Sequence, residues 1–99
     1  MIHVSTTQEI SYVSMTARID RVVQTLLPVL DEPRKAELEY VRSMVYGLRE
    51  ARTVLPTIHM LEMFALTLRG SEAEREAYHV IRSMVKDLKL VYNGNGVLI

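Results

Sequence analysis

The chain has 99 residues, no cysteine, and twelve basic and twelve acidic side chains that balance to a formal net charge of zero. This length fits one domain, and the lack of cysteine excludes disulfide scaffolds, thiol nucleophiles and thiolate metal sites. Zero net charge gives no overall attraction to nucleic acid or to anionic lipid. Hydrophobic residues make up 48% of the sequence. That is much apolar area for a small domain, so we expect a homodimer, the commonest oligomer.

Both ends of the chain, residues 1–5 and 96–99, are short and apolar. Chain ends usually fray, and we expect the same here, with docking or pairing as two short strands as the alternative. The first residues lack the basic segment and the long apolar segment of a secretory signal. We therefore expect a cytoplasmic protein.

A first helix is predicted over residues 7–30. Thr6 and Glu9 have the spacing of a capping box, in which a hydroxyl and a carboxylate satisfy free amides at a helix start. Apolar residues then recur every three or four positions, as on one face of a helix. Pro28 removes a backbone donor and should end or kink this helix.

A second helix is predicted over residues 33–53. Asp31 followed by Pro33 is typical of a helix start, because the carboxylate caps free amides and proline tolerates the first turn. Pro56 disfavours helical geometry at the residue before it, which should stop the helix between residues 52 and 55.

The third predicted helix, residues 56–69, lies in the most apolar stretch of the chain, where Glu62 is the only formal charge between residues 54 and 68. Its apolar positions surround the helix almost completely, which is typical of a buried helix, and the stretch is too short to cross a membrane. We expect it to be the central helix, closed by Gly70. Its predicted core or dimer seam consists of Ile58, Met60, Leu61, Met63, Phe64 and Leu68.

The fourth helix is predicted over residues 71–92. Ser71 and Glu74 form a second capping box, and the segment from Asn93 to Gly96 is a strong stop signal. Four helices with short connections predict an all-α four-helix bundle made of two consecutive helical hairpins. Residues 41–49 and 81–89 are identical at five of nine positions. This similarity indicates either an internal duplication or a chance likeness of two amphipathic helices.

The similarity between the second and fourth helices extends to charge. Each carries three basic residues spaced by seven at the edge of its apolar arc, as side chains that touch a neighbouring helix are spaced in coiled coils. One interpretation is a pair of basic rows that grip an acidic partner or phosphates. The other is cations that pair with carboxylates of adjacent helices, and charge rows are more often such solvated faces. The rows are Lys35, Arg42 and Arg49, and Arg75, Arg82 and Lys89.

Two histidines are candidate centres of a chemical site. Glu76 and His79 match the Glu-x-x-His unit of bundle metal sites, but a second copy of that unit is missing from the sequence. His59 lies one turn from Glu62, where an acid/base pair is conceivable but a structural polar contact is more common. We therefore predict no catalytic, metal or cofactor site.

The sequence favours a small non-enzymatic interaction protein, such as an adaptor, chaperone, inhibitor or regulatory subunit, which binds another protein and forms a homodimer through the third helix and part of the second. The alternative is a nucleic-acid-binding regulator that lays the paired basic rows along a phosphate backbone. Zero net charge counts against that alternative. No membrane partner is expected.

Overall fold

The computed structural model describes residues 7–99 and contains four α-helices and two short strands. In chain order, these are β1 (Gln8–Ile10), α1 (Tyr12–Leu26), α2 (Glu32–Tyr46), α3 (Val54–Leu66), α4 (Glu72–Tyr92) and β2 (Gly96–Leu98). A short 3₁₀ turn, Ala51–Thr53, leads into α3. The predicted all-α four-helix bundle is confirmed.

Each helix packs against the next in the chain, and α1 also packs against α4, so the bundle closes as a ring. The core lies between the helices and is formed by apolar residues at helical spacing. On α4, for example, Ala77, Ile81, Met84, Val85 and Leu88 all face inward and are at most 2% exposed. This periodicity predicted the buried face correctly because most of each helix's stability comes from burying one stripe.

The central helix is α4, and the prediction that α3 is central was wrong. α4 is the longest helix, at 21 residues, and it contacts α1, α3 and both strands. Among the main contacts between elements, α3 packs only against α2, α4 and the 3₁₀ turn. One side of α3 stays open. Its apolar composition reflects two apolar faces, of which only one is buried within the chain.

The start of α1 also differs from the prediction. The helix begins at Tyr12, and Ser11 is its N-cap, accepting a hydrogen bond from the amide of Ser14 at 3.1 Å. Gln8–Ile10 instead forms β1, which pairs in parallel with β2, so Glu9 is not in a helix. Thr6, the other half of the predicted capping box, and residues 1–5 lie outside the described residues.

The expectation that residues 96–99 fray was wrong, because Gly96–Leu98 forms β2 and pairs with β1, as in the alternative of two short strands, although its partner is Gln8–Ile10 and not residues 1–5. The amide of Ile99 donates to the carbonyl of Ile10 at 2.9 Å, and the amide of Tyr12 donates to the carbonyl of Ile99 at 2.8 Å. Gly94, with φ +80°, turns the chain after α4. A Cβ at Gly96 would approach atoms of Leu90 and Val91 at 3.2 Å, so glycine lets β2 lie against the end of α4.

Several helix ends differ from their predicted positions. α1 ends at Leu26, as expected from Pro28 although short of residue 30, and α2 ends at Tyr46, with Gly47 as its C-cap, rather than at 53. α3 begins at Val54, two residues before Pro56, because a proline in the first turn lacks only an amide that has no partner there. α3 ends at Leu66, so Gly70 does not close it. α4 agrees with its prediction to within one residue.

Candidate functional site

The outward side of α3 is the most apolar helix surface that the fold leaves open. Leu66 is 72% exposed and Met63 is 63% exposed, whereas three other members of the predicted seam, Ile58, Leu61 and Phe64, are buried. Met60 and Leu68 are partly buried against the core. The predicted seam is therefore divided between a core face and an exposed face, and Met63 belongs to the exposed one.

This exposed surface continues onto α2. Met44 and Pro56 line a groove of about 400 Å³ where α2 is connected to α3, and Arg52, which is paired with Glu50, also lines it. Tyr40, one turn before Met44 on the same side of α2, is 57% exposed. We call Tyr40, Met44, Pro56, Met63 and Leu66 the α2–α3 face. It combines tyrosine, methionine and leucine without a formal charge among its five members, and tyrosine and methionine are enriched in protein interfaces.

The basic row of α2 is held against α1 and against its own helix. Arg42 donates from Nε to Oδ1 of Asp20 on α1 at 2.8 Å, and its guanidinium lies 4.6 Å from the ring centroid of Tyr46. Lys35 forms an ion pair with Glu32 at 3.3 Å. Arg49 lies beyond the end of α2 and stacks over the ring of Tyr12 at 4.9 Å. All three cations are thus engaged within the chain.

A polar cluster between α1 and α2 consists of Asp20, Arg42, Tyr46 and Tyr12. The hydroxyl of Tyr46 donates to Oδ2 of Asp20 at 2.5 Å, and the hydroxyl of Tyr12 donates to the carbonyl of Tyr46 at 2.5 Å. The hydrogen bond from Tyr46, together with Arg42, lowers the pKa of Asp20 below its ordinary value. The same bond raises the pKa of Tyr46. The cluster joins two helices and leaves its cations little freedom to bind a partner.

The basic row of α4 contacts one carboxylate, whereas the row of α2 contacts two. Lys89 and Arg82 share one, Glu62 of α3, at 3.2 Å and 4.0 Å. Arg75 is exposed and forms no ion pair within residues 7–99. Lys86, which the sequence reasoning did not include, is also exposed and without an ion pair in that range. The signal for Lys86 was its spacing, four residues after Arg82 and three before Lys89.

We call Arg75, Arg82, Lys86 and Lys89 the α4 ridge. Two of the acidic residues of α4 lie beside it but turn toward α1, where Asp87 pairs with Arg18 at 2.9 Å and Glu76 with Arg21 at 3.0 Å. These two carboxylates of α4 therefore face α1, whereas the four cations of the ridge face solvent.

The histidines do not assemble a chemical site. Glu62 is directed to the cations of α4, and His59 stands exposed on the open side of α3. Glu76 is paired with Arg21, and the ring of His79 meets Tyr78 edge-on at a centroid distance of 5.8 Å. Within residues 7–99, no group of three or more histidine, aspartate or glutamate side chains could hold a metal ion.

A groove of about 650 Å³ lies at the end of the bundle where α1 starts and β2 ends. Its lining is mainly apolar, and its charged residues are already engaged, since Arg49 stacks on Tyr12 and Glu50 pairs with Arg52. These side chains are not arranged as a nucleophile with a base, so we do not assign chemistry to this groove.

Comparison with protein-family models, curated proteins and solved structures found no match to this chain. Among residues 7–99, no helix has the length and apolar character required to cross a bilayer. The function must therefore be argued from the two exposed surfaces, the α2–α3 face and the α4 ridge.

Proposed function

We propose that the protein is a non-enzymatic protein-interaction module, of the adaptor, chaperone, inhibitor or regulatory-subunit kind, that acts as a homodimer. The observation that carries the proposal is the exposure of Met63 and Leu66 on the open side of α3. The cytoplasmic location expected from the sequence stays a prediction and forms part of this proposal.

Exposed apolar surface is the physical reason to expect self-association. Removing apolar surface from water contributes about 25 cal/mol per Å², so a face of exposed leucine, methionine and tyrosine side chains favours association. A two-fold dimer brings the same patch together from both copies, and a patch without formal charge is complementary to itself. The α2–α3 face meets both conditions, because its five members carry no formal charge and it lies on one side of the bundle.

The test is size-exclusion chromatography with light scattering at tens of micromolar protein. We expect a dimer for the natural chain and a monomer for the double variant Met63→Lys, Leu66→Lys. Both side chains are exposed in the protomer, so the variant should keep its helical circular dichroism, and its unfolding midpoint should fall only by the stabilisation that dimerisation supplied at that protein concentration. A natural chain that stays monomeric at these concentrations would overturn the dimer.

A matched control places the same two charges elsewhere on exposed apolar positions. Leu27 and Val29, which are 40% and 50% exposed in the turn after α1, are not members of the α2–α3 face. The variant Leu27→Lys, Val29→Lys should remain a dimer. If it dissociates while the Met63 and Leu66 variant does not, the interface lies at the turn and not on α3.

A second candidate, nucleic-acid binding, is favoured by the α4 ridge. Binding along a phosphate backbone through two paired rows would also need the cations of α2. Those cations are already engaged with Asp20, Glu32 and Tyr12, which counts against this candidate. Binding of a 20-base-pair duplex that weakens steeply as salt rises would support it. Binding that is absent at low salt would remove it.

A further inference from the structure

The α4 ridge is straight and narrow. Its first and last members, Arg75 and Lys89, are 14 positions apart, which corresponds to about 21 Å along the helix axis. At 100° per residue, all four cations fall within an arc of about 60°. The ridge is therefore one side chain wide and nearly four turns long, a shape that matches a rod lying along α4.

A depression of about 380 Å³ lies in the surface of this ridge. Four of its lining residues, Arg82, Val85, Lys86 and Lys89, have the spacing i, i+3, i+4 and i+7. In packed helices, four residues at this spacing form the hole that receives one side chain of a helix alongside. Val85 is only 2% exposed and provides an apolar floor, while the three cations form the rim.

The rim has a local excess of positive charge. Glu62 is the one carboxylate that Arg82 and Lys89 contact within residues 7–99, and Lys86 contacts none there. An acidic side chain from outside would therefore meet three cations and compete with a single carboxylate. Charge complementarity of this kind determines specificity and association rate more than total affinity.

From this geometry we propose that the α4 ridge binds an acidic amphipathic helix of a partner protein. The partner helix lies along α4, places one apolar side chain in the hole over Val85, and sets its carboxylates against Arg82, Lys86 and Lys89. This inference rests on the proposed interaction role and names the class of partner, but it uses a surface different from the α2–α3 face.

An acidic helix fits this surface better than a nucleic acid does. The ridge is bordered by Glu62 on the α3 side and by Glu76 and Asp87 on the α1 side. A duplex is much wider than one side chain, so its phosphates would approach these carboxylates. A single helix presents its carboxylates at the same three- and four-residue spacing as the cations of α4.

The experiment selects displayed peptides on the natural chain. The probe is a library of 21-residue helical peptides with apolar residues fixed at heptad a and d positions and with Glu, Gln or Lys varied at e and g. We expect Glu to be enriched, and the best peptide, labelled for fluorescence anisotropy, to lose at least about tenfold in affinity on Arg82→Glu, Lys86→Glu, Lys89→Glu. The neutral variant Arg82→Gln, Lys86→Gln, Lys89→Gln should show a smaller loss.

The matched control changes net charge equally without touching the ridge. Arg21→Glu, Lys35→Glu, Arg52→Glu also replaces three cations, each outside α4, and should bind the peptide within about twofold of the natural chain. Circular dichroism and urea midpoints establish that each variant is folded. If the reversal variant unfolds, the neutral variant provides the same comparison.

A gain of affinity gives the sharpest test. Glu62→Gln removes the one carboxylate that competes for Arg82 and Lys89, so the acidic peptide should bind about two- to fivefold more tightly, the size expected for an exposed ion pair. A merely structural role for Glu62 would leave peptide affinity unchanged.

Three results would overturn the proposal: no enrichment of Glu, equal loss in the control variant, or a duplex that outcompetes the peptide on the ridge. The last result would identify a nucleic-acid site. Failure of this inference differs from failure of the dimer. A dimer without peptide binding removes only the acidic helix, and a monomer that binds the peptide through the ridge removes only self-association.

Discussion

The two basic rows have the same spacing in the sequence but different surroundings in the fold. On α2, Arg42 meets Asp20 and the ring of Tyr46, and Arg49 meets the ring of Tyr12. On α4, Arg82 and Lys89 share Glu62. One row fastens α2 to α1, and the other faces solvent with unbalanced charge.

The difference teaches that the neighbouring helix decides what a charge row does. Heptad spacing places a cation at the edge of a buried seam, but the partner comes from a helix that the row itself does not specify. α1 supplies an aspartate and a tyrosine opposite α2, whereas α3 supplies a single glutamate opposite α4. Similar sequences on α2 and α4 therefore have different roles.

The largest expected effect is a loss of stability when a buried apolar residue of α2 or α4 is truncated. This loss should be important for both helices, although their basic rows differ. Ile81 is 0% exposed and Val41 is 1% exposed, at equivalent places in the two similar segments. Ile81→Ala should reduce the free energy of unfolding by about 2–5 kcal/mol, and Val41→Ala by about 2 kcal/mol, because each leaves a cavity. Urea unfolding of both variants measures this. A loss well below 1 kcal/mol at either position would contradict a packed seam there.

A smaller effect on stability should distinguish the two basic rows. Arg42→Glu places a second carboxylate beside Asp20 and removes its hydrogen-bond donor, so the urea midpoint should fall clearly. Arg82→Glu changes an exposed residue at the edge of the bundle and should alter the free energy of unfolding by no more than about 0.5 kcal/mol. Equal midpoints for the two variants would mean that the rows do not differ in the way described.

The smallest effect is a pH dependence that belongs to the α2 row alone. The hydrogen bond from Tyr46 and the charge of Arg42 lower the pKa of Asp20 in the folded state. A lowered folded pKa contributes stability above the unfolded value, near 3.9, which is lost as pH falls through the folded value. Asp20→Asn should therefore lose less stability than the natural chain between pH 5 and roughly pH 2.

Urea midpoints across that pH range provide the measurement for Asp20. Tyr46→Phe should act in the same direction, because it removes the hydrogen bond that contributes most to the lowered pKa. Glu9→Gln, an exposed carboxylate on β1, provides the control and should keep the acid response of the natural chain. An unchanged response in Asp20→Asn would contradict the role assigned to the cluster.

Local sequence signals predicted most of the fold. Asp31 and Ser71 cap α2 and α4 as expected, each accepting a hydrogen bond from an amide three residues later. Glu74 reaches back past the N-cap: it accepts from the amide of Arg69 at 2.7 Å and from the hydroxyl of Ser71 at 2.8 Å, and the bond from Arg69 lowers the pKa of Glu74 most. These features need only residues within one turn, so the sequence specifies them directly.

What the sequence did not predict depends on distant residues. β1 forms because β2 lies beside it, and three-residue strands carry too little pattern to be recognised alone. The exposure of Met63 depends on which helices flank α3, and composition does not contain that information. Of the candidate surfaces, the α4 cations could be predicted apart from Lys86, but the single carboxylate that they contact could not, because it depends on packing.

The parallel pairing of Gln8–Ile10 with Gly96–Leu98 has a kinetic consequence. It joins segments that are 88 positions apart, and closing so long a loop before the helices assemble would cost much chain entropy for a few hydrogen bonds. The pairing should therefore form last during folding. The amide hydrogens of Tyr12 and Ile99 would become protected from solvent exchange only after those of α1 and α4, and they would report the final step of folding.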